Sequence, residues 1–574
     1  MSTETSSLPL QHVNGKPLEE DQRHYLEGFF AGLAAHGVKF TDIAAAPAAA
    51  TGEKASLDDL IFEERVKREL HPLDAYDQIV GNALTNKAPD KEEVFRFKWN
   101  GLFFLSPNKE AFMSRLRIPG GVVKTFQLRE LSNIAKELTS GYVQITTRAN
   151  FQMRLIQPKD CPEFLRRIQS VGLHTRGSGA DNIRNLTANP TAGIDPHELI
   201  DVLPFCNQLA QIIINDRSFY DLPRKFNIAF DGGGLIGTVE DTNDVGAKAV
   251  KVGDEILFRI ALGGATGHKA FARDLGVLVK PAELNKVIVA IVRVYIANGN
   301  RTDRKKARLK HLLETWSLEK YLAETEKLLG YKLQRAPADL KLDFAETKFP
   351  HSHIGVYPQK QKGLNYIGVA MPVGQITPKQ MLRVAEIADL YGSGEIRLTV
   401  WQNFIIPNVP DAYVETARKA LRKVGFDTQQ SLLRGGLIAC TGNSFCKFAQ
   451  ADTKGHAVAI ADYLDKKITL DAPVNIHLTG CPNSCAQHYM GDIGLLGTKV
   501  RGEDGYHVFI GGGFGANQAV GRQVFASMTV GDLKATLENM LKGYLRRRAP
   551  GETFQKFTAR HDLNTLQAIF TNNE

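Results

Sequence analysis

The 574-residue sequence has only six cysteines and contains no long uninterrupted apolar segment. So few cysteines exclude a disulfide-rich secreted scaffold, and a metal or redox role is the better expectation for some of them. The longest apolar run, VIVAIVRVYIA at 287–297, is interrupted by Arg293 and is too short to span a membrane. It predicts a buried helix or strand, and we expect no association with a membrane.

The first thirty residues also lack a basic start followed by an apolar run. We therefore expect no secretory signal, no transit peptide and a cytoplasmic location. The formal net charge is +9, from 71 basic and 62 acidic residues. This excess permits an acidic partner or an anionic ligand, but it is a weak signal for nucleic acid.

The sequence contains an internal repeat, in which residues 119–175 align with residues 372–428 at a constant offset of 253 and without gaps. The alignment pairs Gly121 with Gly374, Thr146 with Thr399 and Asn150-Phe151 with Asn403-Phe404. Each copy is predicted to run strand, helix, strand, strand, helix, which is typical of a ferredoxin-like α+β unit. The duplication predicts a pseudo-twofold core with a site between the halves, and two independent modules are the alternative.

We predict an α+β protein whose two ferredoxin-like half-domains form the pseudo-twofold core, accompanied by two further α/β domains. The predicted boundaries are 1–94 for an N-terminal helical extension with a flexible linker at 42–55, 95–180 for the first half-domain, 181–345 for the first α/β domain, 346–432 for the second half-domain and 433–574 for the second α/β domain.

Four of the cysteines form two close pairs in the last of these domains. Cys440 and Cys446 lie in IACTGNSFCKF, and Cys481 and Cys485 lie in LTGCPNSCAQH. Such a set fits a four-cysteine zinc site or a [4Fe-4S] cluster. Zinc knuckles favour two residues between cysteines, because a tight turn must aim both sulfurs at one ion. The wider spacings here favour the cluster and leave zinc as the alternative.

The remaining two cysteines, Cys161 and Cys206, lie alone and are predicted to be packing thiols.

Two glycine-rich stretches could indicate a nucleotide-binding site. Gly232, Gly234 and Gly237 in DGGGLIGTVED match G-x-G-x-x-G, but acidic residues follow where a dinucleotide site needs a helix. Dinucleotide binding is therefore not expected there. The glycines at 511–515 follow a predicted strand, and they either let backbone amides approach a carboxylate or the cluster or form a plain turn.

The two cysteine loops, the duplicated RLRIPGG…ITTRANFQMR unit and the basic run GNRTDRKKAR together resemble the siroheme-dependent nitrite and sulfite reductase family. The resemblance extends from about residue 95 to the C-terminus. It implies that the two α/β domains hold siroheme and a [4Fe-4S] cluster. It also implies that the four paired cysteines ligate the cluster, that Cys485 bridges to the siroheme iron and that Asn483 contacts the cofactors.

Siroheme carries eight carboxylates, which a protein buries only with many cations or amide donors. Arginine suits this task because its guanidinium pairs with a carboxylate through two hydrogen bonds and stays charged. Taken alone, the basic run at 301–310 would be a solvated helix face. Within this family the candidate siroheme contacts are Arg117, Arg148, Gln152, Arg154, Arg224, Arg301, Arg304, Lys306 and Arg308.

The resemblance places four residues at the substrate, namely Arg115, Arg184, Lys225 and Asn227. Sulfite reductases of the enteric type have a second lysine at the position of Asn227, whereas plant and cyanobacterial nitrite reductases have asparagine. Sulfite is largely a dianion near neutral pH and nitrite is a monoanion, so one cation fewer suits nitrite.

We therefore predict a ferredoxin-dependent assimilatory nitrite reductase that delivers six electrons to nitrite and releases ammonium. Because no nicotinamide or flavin site is evident, the expected donor is an acidic one-electron carrier, reduced ferredoxin or flavodoxin. We expect a monomer. Reduction of sulfite to sulfide is the alternative within the family. The alternative from another class is a haem-free iron-sulfur or zinc protein that binds nucleic acid through its basic run.

Overall fold

The computed structural model describes residues 12–13, 16–17, 20, 57–105, 109–337, 340, 353–429 and 432–571. The chain divides into two units, Met1–Asp59 and Leu60–Glu574. In the first unit, strand β1 (His12–Val13) pairs antiparallel with β2 (Lys16–Pro17). The sequence predicts a helical extension with a linker here and no hairpin, but it carries an Asn-Gly dipeptide between the two strands, which favours two-residue hairpins.

The predicted linker at 42–55 lies outside the described residues. Residues 60–94, which the sequence assigns to the N-terminal extension, belong to the second unit. The residue ranges of the five predicted domains stay predictions.

The helices of the second unit are α1 (Phe62–Glu69), α2 (Tyr76–Leu84), α3 (Lys91–Arg96), α4 (Thr125–Leu138), α5 (Cys161–Ser170), α6 (Leu203–Asn215), α7 (Leu284–Asn298), α8 (Leu309–Thr315), α9 (Leu318–Leu329), α10 (Pro378–Tyr391), α11 (Val414–Val424), α12 (Thr453–Leu464), α13 (Val530–Arg547), α14 (Phe554–Ala559) and α15 (Leu563–Thr571).

Its strands are β3 (Leu102–Phe104), β4 (Phe112–Arg115), β5 (Val122–Lys124), β6 (Val143–Ile145), β7 (Phe151–Ile156), β8 (Ile228–Asp231), β9 (Val245–Val252), β10 (Glu255–Leu262), β11 (Arg273–Val279), β12 (Gln334–Arg335), β13 (Gly355–Pro358), β14 (Leu364–Val369), β15 (Gln375–Ile376), β16 (Glu395–Leu398), β17 (Phe404–Pro410), β18 (Leu437–Ala439), β19 (Ile476–Thr479), β20 (Ile493–Val500), β21 (Glu503–Ile510) and β22 (Arg522–Thr529).

The two repeats form two five-stranded sheets that exchange a strand with each other. One sheet has the order β15-β6-β7-β4-β3 and the other has the order β13-β14-β17-β16-β5. Strand β5 of the first repeat thus lies in the sheet of the second, and its repeat counterpart β15 lies in the sheet of the first. The registers of the two exchanged strands match as well. Val122 pairs with Arg397 and Gln375 pairs with Gln144, and these two pairs are equivalent at the repeat offset of 253. The two half-domains are therefore one interlocked, pseudo-twofold body.

A pair of equivalent glycines makes this exchange possible. Gly121 and Gly374 both have positive φ, +74° and +70°, a conformation that other residues adopt only with strain. A Cβ on Gly121 would lie 2.7 Å from the carbonyl oxygen of Leu398, and a Cβ on Gly374 would lie 2.7 Å from that of Ile145. Each glycine therefore lets its strand approach the other repeat.

The two α/β domains have sheets of related topology, with the orders β12-β11-β10-β9-β8 and β18-β19-β20-β21-β22. The parallel pair β8-β9 is followed by the antiparallel strands β10, β11 and β12, and the parallel pair β19-β20 is followed by the antiparallel strands β21 and β22. Residues 245–262 and 493–510 occupy equivalent strands at an offset of 248. This second repeat is hard to detect from the sequence because few residues are identical in the two copies.

Three large clusters of buried side chains form the interior. One is shared by the two half-domains, and each α/β domain has its own. The apolar run at 287–297 belongs to α7, which is buried in the first α/β domain, as predicted. No helix in the described part of the chain is long and apolar enough to cross a membrane.

Candidate functional site

A cavity of about 1080 Å³ is lined by residues of both half-domains and both α/β domains. Its size suits a large macrocycle, and both cysteine loops reach it. Cys440 follows β18 and Cys481 follows β19, and these strands are parallel neighbours. Because the carboxyl ends of parallel strands lie at the same edge of a sheet, the two loops come together there.

All four paired cysteines line this cavity. The backbone N–H of Gln450 donates to the Gly480 carbonyl at 2.8 Å and ties the two loops to each other. The N–H of Gly480 donates to the Cys440 sulfur at 3.2 Å, a kind of contact that iron-sulfur clusters use. In the first half-domain, the Thr147 hydroxyl donates to the Cys485 carbonyl at 3.0 Å.

The four paired cysteines share one cavity, which brings both loops to a single candidate metal site. A zinc site needs its four ligands within about 2.3 Å of a single centre, whereas a cubane separates them.

The lining of the cavity is strongly basic. It contains no aspartate or glutamate among the described residues, and its cations are Lys98, Arg115, Arg148, Arg154, Arg184, Arg224, Lys225, Arg304, Lys305, Arg308, Lys447 and Lys454. So much buried positive charge is costly without anionic partners. A macrocycle with eight carboxylates is the complement that this lining requires, so the residues present fit siroheme.

Two of the predicted substrate residues are held side by side. Arg115 and Arg184 each donate to the Ser178 carbonyl oxygen, at 3.2 and 2.9 Å. Burial lowers the pKa of both guanidinium groups. Arg184 also donates to the Ala180 carbonyl at 2.9 Å, which fixes the direction of its head group. The two side chains therefore form a rigid cationic pair at the cavity wall.

The other two predicted substrate residues, Lys225 and Asn227, line the same cavity. Burial, followed by the nearby Arg308 guanidinium, lowers the pKa of Lys225 to about 7. Asn227 is only 4% exposed, and its Oδ1 has no hydrogen-bond partner among the described residues. The amide oxygen is an acceptor, so only the Nδ2–H donors of Asn227 suit an anionic ligand.

The cations predicted to hold siroheme are anchored by neighbouring side chains. Arg148 donates to the Asn243 Oδ1 at 2.8 Å, and Arg154 donates to the Thr441 hydroxyl at 2.7 Å. Gln152, which also lines the cavity, accepts from Arg154 at 2.7 Å. These bonds fix both guanidinium groups at the cavity wall.

The fully buried Asp181 organises a second group of these cations. Both oxygens of its carboxylate accept from Arg304 at 2.8 Å, and Arg224 lies 3.6 Å away. Helix α1 completes the network, because Lys67 lies 3.9 Å from Asp181 and Glu63 lies 3.1 Å from Arg304. Residues of the predicted N-terminal extension thus brace the cavity wall.

The structure places three of the predicted siroheme contacts away from the cavity lining, namely Arg117, Arg301 and Lys306. Arg117 is buried and donates to three backbone carbonyls, including that of Ile183. Arg301 binds Glu64 and Asp221. Lys306 is exposed, and its neighbour Lys305 reaches the cavity instead, because the chain forms a 3₁₀ turn here rather than an α-helix.

Sequence reasoning missed three further lining cations. Lys98 lies in the FRFKWNGLF stretch, Lys447 directly follows Cys446, and Lys454 begins α12. The position beside a ligand cysteine could have revealed Lys447. Nothing local marks Lys454, whose Nζ donates to the Ala439 carbonyl at 3.3 Å.

The glycine-rich stretches are structural. After Gly237 the chain forms a 3₁₀ turn and then β9, so no helix N-terminus is available for a pyrophosphate. In the second stretch, the Gly515 N–H donates to the Asp241 carboxylate at 2.8 Å, so an amide does approach a carboxylate there, but one of the protein itself. Cys161 and Cys206 are buried, as expected for packing thiols.

Comparisons with known proteins agree with this geometry. The family described as nitrite and sulphite reductase 4Fe-4S domain matches residues 179–333 and 435–572, and the one described as nitrite/sulfite reductase ferredoxin-like half domain matches residues 106–171 and 357–424. The chain belongs to the nitrite and sulphite reductase family. The predicted fold and the predicted cofactors, siroheme and a [4Fe-4S] cluster, are confirmed with it.

Members of this family with known names cover most of the chain. The ferredoxin-nitrite reductase of Synechococcus elongatus is 36% identical over 83% of this chain and 95% of its own. The chloroplastic ferredoxin-nitrite reductase of Zea mays is 34% identical over 83% and 88%. The structure of the Mycobacterium tuberculosis NirA protein matches with a TM-score of 0.82 and 28% identity, over 88% of this chain and 97% of that one. The prediction of an oxidoreductase of this family is therefore confirmed, and the haem-free alternative is not supported.

Proposed function

We propose that this protein is a ferredoxin-dependent nitrite reductase that converts nitrite to ammonium with six electrons. The observation that carries the proposal is the composition of the predicted substrate wall, with the cations Arg115, Arg184 and Lys225 beside the neutral, buried and unpaired amide of Asn227. A dianion would gain from a further cation at the last position, whereas a monoanion does not need one. The named relatives point to the same substrate.

We propose Cys440, Cys446, Cys481 and Cys485 as the ligands of the cluster, with Cys485 shared with the siroheme iron. When bound, the coupled siroheme and cluster supply a redox-active iron that takes up electrons one at a time. Arg148, Arg154, Arg224 and Arg304 would hold its carboxylates, together with Gln152 and Asn483. Arg308 is already paired with Asp244, and Arg304 with Asp181, so these two contribute less net charge to that task than Arg148 and Arg154.

The chain's own residues bind the anion and move protons. Arg115 and Arg184 hold its oxygen atoms through donors that are preorganised on the Ser178 carbonyl. The Lys225 ammonium is a suitable proton donor at neutral pH, because its pKa of about 7 matches the working range of a general acid. The Asn227 Nδ2 donates one hydrogen bond without adding charge.

The experiment that tests the substrate compares nitrite with sulfite in steady state, using reduced ferredoxin. We expect kcat/KM for nitrite to be larger. Asn227→Lys should raise sulfite turnover relative to nitrite, chiefly through the KM for sulfite, because an added cation attracts a dianion about twice as strongly as a monoanion. A wild-type enzyme that prefers sulfite would replace the proposal by its alternative, and an unchanged ratio in Asn227→Lys would remove its physical basis.

The proposed electron donor follows from the same charge balance. An acidic one-electron carrier is attracted to a basic protein at low ionic strength, and the attraction weakens with a screening length of about 10 Å at 0.1 M salt. Turnover with reduced ferredoxin should therefore fall as salt is added, while turnover with a small chemical reductant changes little. Equal responses of the two donors would contradict electrostatic docking.

A further inference from the structure

The two α/β domains contain the same pair of side chains at equivalent positions. Asn227 and Asp244 in the first domain correspond to Asn475 and Asp492 in the second, at the offset of 248. In both domains the asparagine N–H donates to the aspartate carboxylate, at 2.8 and 3.0 Å. In both, the residue after the aspartate donates its N–H to the asparagine carbonyl, at 3.0 and 3.1 Å. The backbones match, so the side chains can be compared directly.

The asparagine side chains point in different directions. Asn475 donates its Nδ2 to Asp492 at 2.6 Å and accepts the Asp492 N–H on its Oδ1 at 2.8 Å. Its amide is thus closed onto its own aspartate. Asn227 makes neither of these two bonds among the described residues: its Oδ1 is buried without a partner, and the residue lines the cavity.

The difference between the domains is Arg308. Its Nη2 donates to one oxygen of Asp244 at 2.7 Å, and its Nε donates to the other at 3.2 Å. Asp244 is fully buried and Arg308 is 6% exposed, so this two-bond ion pair is shielded from water. No salt bridge to Asp492 is present in the described part of the second domain, and burial raises the pKa of that carboxyl to about 7.

We propose that the Arg308–Asp244 ion pair positions Asn227. By occupying the carboxylate that the amide would otherwise bind, Arg308 turns the amide toward the cavity, where its Nδ2–H donors would meet the anionic substrate. The inference rests on the proposed function, in which Asn227 faces that substrate. Arg308 and Asp244 are positioning residues in this scheme, and Arg308 acts on the anion through Asn227.

The test uses the holoenzyme and begins with Arg308→Met, which removes the guanidinium and keeps an unbranched chain. Nitrite dissociation constants are measured by optical titration of the oxidised enzyme, normalised to its siroheme absorbance. We expect the constant to rise about five- to tenfold, the scale of one hydrogen bond, with the siroheme content retained. Arg308→Lys should restore part of the affinity, and Asp492→Asn, the matched control in the other domain, should leave it unchanged.

A double-mutant cycle with Asn227→Ala separates positioning from other roles of Arg308. In the Asn227→Ala background, Arg308→Met should change nitrite affinity by less than about twofold, because no amide remains to be positioned. An equal loss in both backgrounds overturns the inference, since Arg308 would then act directly or through the cofactor. If Asn227→Ala alone leaves the affinity unchanged, the proposed role of Asn227 fails first and the inference with it.

A crystal structure of Arg308→Lys and, if it folds, of Arg308→Met gives a direct reading. Turning of the Asn227 amide onto Asp244 in the methionine variant, as Asn475 is turned onto Asp492, supports the inference. An amide that still faces the cavity overturns it. If the methionine variant does not fold, the affinity of Arg308→Lys in the presence and absence of Asn227→Ala decides by the same criterion.

Discussion

The two ferredoxin-like repeats have the same backbone but opposite surfaces at equivalent positions. Polar residues of the first repeat that line the cavity correspond to apolar or small residues of the second. The pairs are Arg115 and Gly368, Arg148 and Trp401, Gln152 and Ile405, and Arg154 and Pro407. One repeat therefore offers charge to a ligand where the other offers a surface for packing.

In the second repeat the equivalent space is filled by the chain itself. A Cβ on Gly368 would lie 1.2 Å from the carbonyl oxygen of His353, so this position can only be glycine while that segment covers it. Ile405 packs in a small buried cluster with Ile194, Ile236 and Tyr366. The duplicated fold thus supplies two equivalent surfaces. The surface of the first repeat is charged and open and can bind a ligand, whereas the surface of the second is apolar and covered by other parts of the chain.

In the α/β domains, it is the second copy that carries the cysteine loop, whereas in the half-domains it is the first copy that carries the cavity-lining charges. The TGCPNSC loop follows β19 in the second domain, and DGGGLIG follows the equivalent strand β8 in the first. At the offset of 248, Gly233 and Gly237 stand where the second domain has Cys481 and Cys485. The apparent nucleotide motif is therefore the cysteine-free counterpart of the cysteine loop. Both domains supply cations to the cavity, but the four cysteines in its lining all come from the second.

The largest effect is expected when the second α/β domain loses one of its cysteine thiolates. Cys485→Ser should abolish turnover and remove both iron centres, because the proposed shared ligand would be gone. Iron analysis and the visible spectrum check this. Cys206→Ser, a buried thiol of the first half whose pKa burial raises to about 12, should keep both centres. Full iron content and an unchanged spectrum in Cys485→Ser would contradict the shared ligand.

A smaller effect is expected when the first half loses one cation. Arg115→Ala should lower kcat/KM for nitrite and for sulfite by about 10- to 100-fold, the scale of one charge-assisted hydrogen bond. Steady-state kinetics with both anions check this. Arg383→Ala, on the exposed face of α10 in the second half, should change neither value. Loss with one anion alone would show that Arg115 does not hold an atom common to both.

The pH profile tests Lys225, another cation of the first half. In the proposed function its protonated form binds the anion and carries the proton. Its pKa is about 7, so that form is lost as pH rises through this value. We expect kcat/KM for nitrite to fall about tenfold per pH unit above 7. Lys225→Arg stays charged and should flatten the profile. Parallel profiles in the two proteins would assign the titration to another group.

The smallest effect on activity is expected where the two repeats are alike. Gly121→Ala and Gly374→Ala should each lower the stability by about 2–4 kcal/mol, because both combine positive φ with a close carbonyl. Thermal unfolding of the two variants checks this, and nitrite turnover below the transition should be retained. Gly502→Ala is the control, since its φ is +89° with no atom within 4 Å, and it should cost less. Markedly unequal losses of stability in Gly121→Ala and Gly374→Ala would contradict the structural equivalence of the two glycines.

Much of the fold was accessible from the sequence because its signals are local. Hydrophobic periodicity predicts the order strand, helix, strand, strand, helix in each repeat. The structure contains this order as β4, α4, β6, β7 and α5 in the first copy and as β14, α10, β16, β17 and α11 in the second. The strand exchange between the repeats was not accessible, since β5 and β15 are short and their partners are distant along the chain. Pairing over such separations depends on the assembled sheets rather than on the composition of the strands.

The sequence by itself determined the duplication, the element order and the cysteine loops, because periodicity, repeat offset and spacing are properties of neighbouring residues. Only the tertiary structure decided which cations serve the cavity. Arg117 and Arg304 were equivalent candidates by residue type, but backbone carbonyls bind the first outside the cavity and Asp181 orients the second along its wall. That choice depends on hydrogen-bond partners from distant parts of the chain, which meet only when the domains pack.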